Sequence, residues 1–291
     1  GVLATMFFYL FSNMLRALGN SRLPLVFLVI ACIINVVLDI ILIVFLHMGV
    51  AGAGIATVTA QLISCFLCWF YIKSHVPVLS LEVKEIKTNM KLVREQIKIG
   101  LPMGFQASII AIGSIILQIS LNHLGSSAIA AYTAAGKVDQ LATQPMMSLG
   151  ITMATFTAQN YGAKKFKRIL KGIRQTLITS VAYSFIVGAL IILNSRVLVN
   201  LFIGNSEQHI TNLAHEYFVI VSASYFLLAI LFIIRYTLQG FGKSVAPTMA
   251  GVAELISRML VGLFVVPAFG FWGACTANPL AWLGSNLVLV Y

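Results

Sequence analysis

Asn35 and Asp39 stand one helical turn apart in PLVFLVIACIINVVLDIILIVFL, residues 24–46, a run of 23 residues in which Asp39 alone is charged. A carboxylate at mid-membrane depth costs about 2.5–3.5 kcal/mol on the insertion scale, so its presence needs a chemical reason. If the chain turns back near residue 48, the next run, GVAGAGIATVTAQ, forms a hairpin with the first, and residues equidistant from the turn share a depth. Asp39 then faces Thr57 and Asn35 faces Gln61, with Asp39 and Thr57 about 10–14 Å from the turn at the helical rise per residue. Four oxygen-bearing side chains with one formal charge suit a proton or a Na⁺ ion. Hard cations take carboxylate, amide and hydroxyl oxygens, and burial makes a carboxyl easier to protonate. The same residues could instead form a hydrogen-bond network that only holds two helices together.

Other polar groups also sit within apolar sequence. Lys137 and Asp139 lie in GKVDQ, where residues i and i+2 point in different directions, so each needs its own partner, water or a cavity. Glu254 and Arg258, spaced i and i+4, fit a structural ion pair, or a pair that faces a cavity. The four cysteines lie in apolar runs, and Cys65-x-x-Cys68 reads as small-residue helix packing rather than a redox or metal pair. The histidines at 47, 75, 123 and 209 fall in connections or near span ends, and no paired carboxylates or Ser-His set shares a depth. With no GxxxxGK[ST] loop either, neither intramembrane catalysis nor ATP hydrolysis is expected.

The elements that must carry these residues are membrane helices. The chain is 59% hydrophobic and 9% charged, whereas soluble domains carry about 25% charged residues. Apolar stretches near 20 residues, the length that crosses about 30 Å of hydrocarbon, recur throughout. Nine spans can be drawn, at about 1–18, 24–46, 50–72, 101–122, 127–156, 172–195, 214–236, 246–268 and 271–291. The connections after the first, third, fifth and seventh hold two, six, six and one Lys or Arg, and the other four hold only Arg196. That alternation is the positive-inside pattern, so the net charge of +11 is a topology signal and implies no nucleic acid partner. It places Gly1 outside and Tyr291 in the cytoplasm.

Gly1 leads into VLATMFFYLFSNML with no charged n-region and no cleavage site, which reads as a fragment rather than a signal peptide. A cytoplasmic native N-terminus would then require an odd number of further spans upstream. Residues 73–98 form the one long connection, and Val83, Ile86, Met90, Val93 and Ile97 recur in it at spacings of three and four. Such a stripe suits an amphipathic helix on the inner membrane surface, linking a first part, 1–72, to a second, 99–291. An internal repeat supports two halves. LRALGNSRLP (15–24) and LQGFGKSVAP (238–247) share Leu, Gly, Ser and Pro at an offset of 223, and MGVAGAGIAT (48–57) resembles FGFWGACTAN (269–278) at 221. Six spans separate the copies, so both run the same way through the membrane, as in parallel-repeat transporters.

LRALGNSRLP followed by Asn35-x-x-x-Asp39, the GVAGAGIATV opening, LPMGFQ (101–106) and AQNYGAKKFKR (158–168) resemble the multidrug and toxic compound extrusion (MATE) family over essentially the whole chain. The resemblance implies an all-α, two-lobed transporter of six plus six helices, of which this sequence supplies helices four to twelve. It also implies export of small amphipathic or cationic drugs in exchange for H⁺ or Na⁺, by a monomer in the plasma membrane with no cofactor beyond the coupling ion. Asn35, Asp39 and Thr57 fall where the family's N-lobe cation site places Asn, Asp and Thr, with Gln61 beside them; a fourth member, an Asp on the first helix, would lie upstream. Lys137, Asp139, Glu254 and Arg258 become candidates for the substrate cavity. The second repeat departs from the first, with Arg258 at the position of Asn35 and Gly262 at that of Asp39. The alternative in the wider superfamily is a flippase of lipid-linked sugar precursors, which should line its cavity with several basic residues, whereas only Lys137, Arg235 and Arg258 are intramembrane.

Overall fold

A computed structural model describes residues 1–76, 89–203 and 208–290, the side chains of 202 and 203 excepted. The described residues are helical and form no strand. The α-helices are α1 (Val2–Ala17), α2 (Arg22–Asp39), α3 (Gly49–His75), α4 (Met90–Asn122), α5 (Ser126–Gly162), α6 (Phe166–Leu193), α7 (Ser195–Ile203), α8 (Gln208–Ala223), α9 (Tyr225–Gly240), α10 (Val245–Leu260), α11 (Val266–Cys275) and α12 (Ala277–Val290). Two π-helical segments, Ile40–Phe45 and Val261–Val265, continue α2 and α10. Five helices, counting each π extension with its parent and α11 with α10, are long and apolar enough to cross a membrane. The pair α8–α9, bent by 47°, makes a sixth if taken as one span. Large apolar side chains such as Leu25, Val29, Ile33 and Val36 face outward, which only a hydrocarbon solvent tolerates over so many positions.

The contacts divide the chain into two compact units, 1–89 and 90–291. In the first, α3 packs against both α1 and α2. Its buried residues, Gly52, Ala56, Ala60, Ser64, Cys68 and Ile72, recur every fourth position and are mostly small. Small side chains let helix backbones approach where lipid offers no hydrophobic drive to association. Phe8 of α1 and Phe27 of α2 meet over Cys68, and the Ser64 hydroxyl donates to the Phe27 carbonyl at 3.1 Å. Both Cys65 and Cys68 are free thiols.

The second unit begins earlier than the sequence pattern indicates. Met90, Val93 and Ile97, expected on a separate surface helix, belong to the first turns of α4, which runs unbroken for 33 residues; Val83 and Ile86 lie outside the described residues. Pro102 sits inside that helix. Proline has no N–H, so the carbonyl of Lys98, four residues back, loses its helical partner. Ser244, the residue that opens α10, donates its hydroxyl to that carbonyl at 3.1 Å, and Thr248 donates to the Pro102 carbonyl at 2.9 Å.

The internal repeat is visible in the local backbone. Helices α1 and α9 have 16 residues each and start 223 positions apart, and Ser21 and Ser244 open the next helix of each copy. Gly19 and Gly242 take left-handed φ angles of 89° and 75°, and Gly49 and Gly270 take 54° and 58°. A left-handed turn favours glycine because it has no Cβ, and the sequence keeps one at each. The π segment also recurs, although the acid before it does not.

In the second unit α9 crosses α5 at Gly240, where an added Cβ would lie 2.5 Å from the Ala154 carbonyl oxygen and 2.9 Å from Thr157 Cβ. Backbone cannot yield as a side chain can. Gly240→Val is expected to destabilise the protein by about 1–3 kcal/mol through overpacking, read as a lower thermal midpoint in detergent. Gly104→Ala, with nothing within 4 Å of the new Cβ, serves as the neutral control. Equal midpoints for the two variants would show that α5 and α9 do not meet at Gly240.

Candidate functional site

Asn35 and Asp39 share one face of α2, and Asp39 is its last residue before the chain widens into the π-helical segment, where the Leu46 N–H donates to the Ile41 carbonyl at 3.0 Å. Asn35 Nδ2 and Asp39 Oδ1 are buried and have no hydrogen-bond partner among the described residues. Leaving a buried polar group unpaired costs about 1–3 kcal/mol, and more for a charged one.

The two residues expected opposite them are differently engaged. Thr57 is exposed and donates its hydroxyl to the Ala53 carbonyl of its own helix at 2.9 Å, which leaves the oxygen's lone pairs free to accept. Gln61 Oε1 accepts a hydrogen bond from the Thr5 hydroxyl of α1. No hydrogen bond joins Asp39 to Thr57 or Asn35 to Gln61. The polar residues of α2 therefore do not pair with those of α3, and α1 contributes Thr5, which the hairpin geometry had no means of supplying.

The second unit holds a different constellation. Glu254 of α10 is a buried carboxylate, 3% exposed, between two arginines that are each 6% exposed. Arg235 Nη2 of α9 donates to its Oε1, and Arg258 Nη2 lies 3.5 Å from its Oε2. Ser285 of α12 accepts from Arg235 Nη2 at 3.0 Å and donates to the Ala250 carbonyl at 3.0 Å, while Arg258 Nη1 donates to the Ile110 carbonyl of α4 at 3.4 Å. One network thus ties four helices. The i, i+4 spacing found one half of it; Arg235, a span earlier in the chain, supplies the other.

Asp139 stands apart from that network. It lines a cavity of about 220 Å³ together with Gln118 and Ser114 of α4, Tyr132 of α5, Tyr217 of α8 and Asn278 of α12. Its Oδ1 is buried without a hydrogen-bond partner among the described residues. Asn278 Nδ2 donates to the Tyr132 hydroxyl at 3.5 Å, and the Tyr132 and Tyr217 rings meet edge to face. Lys137, two residues before Asp139, is exposed. Of the four residues considered for a cavity, Asp139 lines one, Glu254 and Arg258 are held in the ion-pair network, and Lys137 faces outward.

The sequence and fold are similar to those of known proteins over nearly the whole chain. The probable multidrug resistance protein YoeA of Bacillus subtilis (strain 168) is 28% identical over 299 residues, which cover 98% of this chain and 63% of that protein. The multidrug export protein MepA of Staphylococcus aureus (strain N315) is 25% identical over 288 residues, covering 97% of this chain and 63% of its own length. The chain thus spans about 63% of these curated relatives. Among solved structures, a MATE protein in complex with MaL6 superposes with a TM-score of 0.89 at 17% identity, over 98% of this chain and 65% of the other. The Vibrio cholerae MATE transporter VcmN in its bent form gives 0.81 at 19% identity, over 97% of this chain and 65% of the other. The MatE family model matches residues 102–264, more than half of the 291, and on that match, with the fold and relatives in agreement, this multi-pass membrane chain belongs to the MatE family.

Proposed function

We propose that this chain is the larger part of a secondary multidrug exporter in which an inward H⁺ or Na⁺ gradient drives efflux of amphipathic, often cationic, organic compounds by alternating access. The observation that carries the reading is Asp39: the single charged residue of a 23-residue run, with a buried oxygen that no described residue satisfies, beside Asn35, whose buried Nδ2 also has no partner among the described residues. Asn35, Asp39 and Thr57 are assigned to the coupling ion. Gln61, already accepting from Thr5, is assigned to fixing α1 against α3 beside it. Asp139 is assigned to a polar recess of the second unit, open to the positively charged part of a substrate or to a second proton.

The relatives' names, a probable multidrug resistance protein and a multidrug export protein, support drugs as cargo. The alternation of basic connections supports nine spans, equivalent to helices four to twelve of a twelve-helix, two-lobed monomer in the cell membrane, with Tyr291 cytoplasmic and the segment between α3 and α4 linking the lobes. The reading is of a transporter, without enzyme activity or cofactor. Glu254 also weighs against the flippase alternative. It neutralises one of the two buried arginines and engages both, so neither is available as a bare cation for a pyrophosphate.

The test is reconstitution of the full-length parent in vesicles loaded with a fluorescent organic cation. Efflux is expected to begin when an inward H⁺ or Na⁺ gradient is imposed and to stop when it is collapsed. Efflux that ignores both gradients would refute ion coupling.

A further inference from the structure

Six basic residues crowd the start of α6: Lys164, Lys165, Lys167, Arg168, Lys171 and Arg174. All six are exposed, and none is in an ion pair among the described residues. The sequence offers them no acid nearby, since no Asp or Glu occurs between Asp139 and Glu207. A positive-inside signal explains the sign of this charge and its place beside a span, yet not what the side chains contact. Lys167 and Arg168 occupy the first turn of a helix that has no acidic residue there and no side-chain cap. That end of a helix carries partial positive charge, so cations there are disfavoured. A surface that concentrates cations where its own helix opposes them is matched by an anion from outside.

Depth identifies the source of that anion. Helix α6 has 28 residues, about 42 Å at the standard rise, which matches a bilayer with its headgroups rather than the hydrocarbon alone. After Arg174 no charged residue occurs until Arg196. The 19 uncharged residues 175–193 therefore cover about 28 Å, the hydrocarbon thickness, and leave 166–174 in the headgroup layer. The two stripes on this stretch fit that layer. Lys167, Lys171 and Arg174 follow each other at i, i+4 and i+7, while Phe166 and Leu170, 54% and 68% exposed, form an apolar stripe beside them. Tyr161 packs edge to face on both Phe166 and Phe241, an aromatic cluster of the kind that sits at the membrane interface. Arg168 is steered separately, its guanidinium 5.8 Å from the centre of the Phe156 ring.

We propose that the Lys167, Lys171 and Arg174 stripe, with Lys164 and Lys165 at its end, binds the phosphate headgroups of anionic phospholipids, whose acyl chains lie along Phe166 and Leu170. The inference rests on α6 as a membrane-crossing helix and not on the identity of the transported compound. Free phosphate offers the same charge without the acyl chain, so the two sources separate experimentally. The chain, purified in neutral detergent, is mixed with phosphatidylglycerol, with phosphatidylcholine of the same acyl chains, or with inorganic phosphate. Retained lipid is counted by native mass spectrometry, and the thermal midpoint is read alongside. Phosphatidylglycerol is expected to be retained preferentially and to raise the midpoint more than phosphatidylcholine does, with little effect of phosphate. In the triple variant Lys167→Gln, Lys171→Gln, Arg174→Gln the preference is expected to fall by about fivefold per removed charge. Equal retention of the two lipids by the wild-type chain would overturn the proposal, as would an unchanged preference in the variant or an equal midpoint rise with phosphate alone. Should the variant not fold, the wild-type lipid ratio and its decline with added salt decide the question, a ratio indifferent to salt counting against the headgroup contact.

Discussion

Replacing Asp39 with Asn is expected to abolish gradient-driven efflux while leaving folded protein in the membrane. The substitution keeps the shape and the hydrogen-bonding capacity of the side chain and removes only its titratable charge. If Asp39 were there to hold helices together, Asn would serve as well and transport would survive. The geometry lends that role no support, because Asp39 Oδ1 has no hydrogen-bond partner among the described residues and Thr57, the residue expected opposite it across the hairpin, donates within its own helix. Stability should rise slightly, since a charge that costs on the order of 2 kcal/mol or more to insert is removed. The assay is efflux from vesicles containing the full-length parent under an imposed H⁺ or Na⁺ gradient, with thermal stability measured in detergent. Efflux at near wild-type rate would end the coupling role of Asp39 and leave its carboxylate without an explanation.

What the sequence made legible about this region, and what it hid, follows from the range of the forces involved. The apolar run, the single acid in it and the i, i+4 spacing to Asn35 are local, and the helix preserves them. The rotation of α3 is not local. Its buried stripe through Gly52, Ala56, Ala60, Ser64 and Cys68 fixes which side meets α1 and α2, and Thr57 and Gln61 each lie one residue, or about 100°, beyond it. Equal depth in a hairpin therefore did not become contact, and Gln61 found Thr5 instead. The start of α4 was hidden for a similar reason. Pro102 marks a helix opening in local terms, but the carbonyl it deprives is satisfied by Ser244, 146 residues away in the chain. The turns at Gly49 and Gly270 were readable because a left-handed backbone leaves its mark in residue type, and the repeat displayed it twice.

The largest effect on stability is expected at Glu254, the one carboxylate shared by Arg235 and Arg258. Both guanidinium groups are buried, and the Nε of each has no hydrogen-bond partner among the described residues, so their charge is balanced chiefly through Glu254. Glu254→Gln preserves volume and one acceptor but leaves two cations in the interior of the helical unit without a counter-charge. Removing one partner of a buried ion pair costs about 3–5 kcal/mol, which is a large part of the stability of most domains. The variant is expected to give little folded protein in detergent and a much lower thermal midpoint. Replacing the whole network should behave differently, because three apolar side chains of similar volume bring no uncompensated charge. Arg235→Met, Glu254→Leu, Arg258→Met is therefore expected to recover most of the lost midpoint. The same triple variant separates structure from transport. A network that only ties α9, α10, α12 and α4 together predicts efflux close to wild type once folding is restored, whereas a network that contacts the substrate predicts a folded but inactive protein. A wild-type midpoint in Glu254→Gln would mean that the two guanidiniums are balanced by other groups, and the four-helix tie would lose its electrostatic basis.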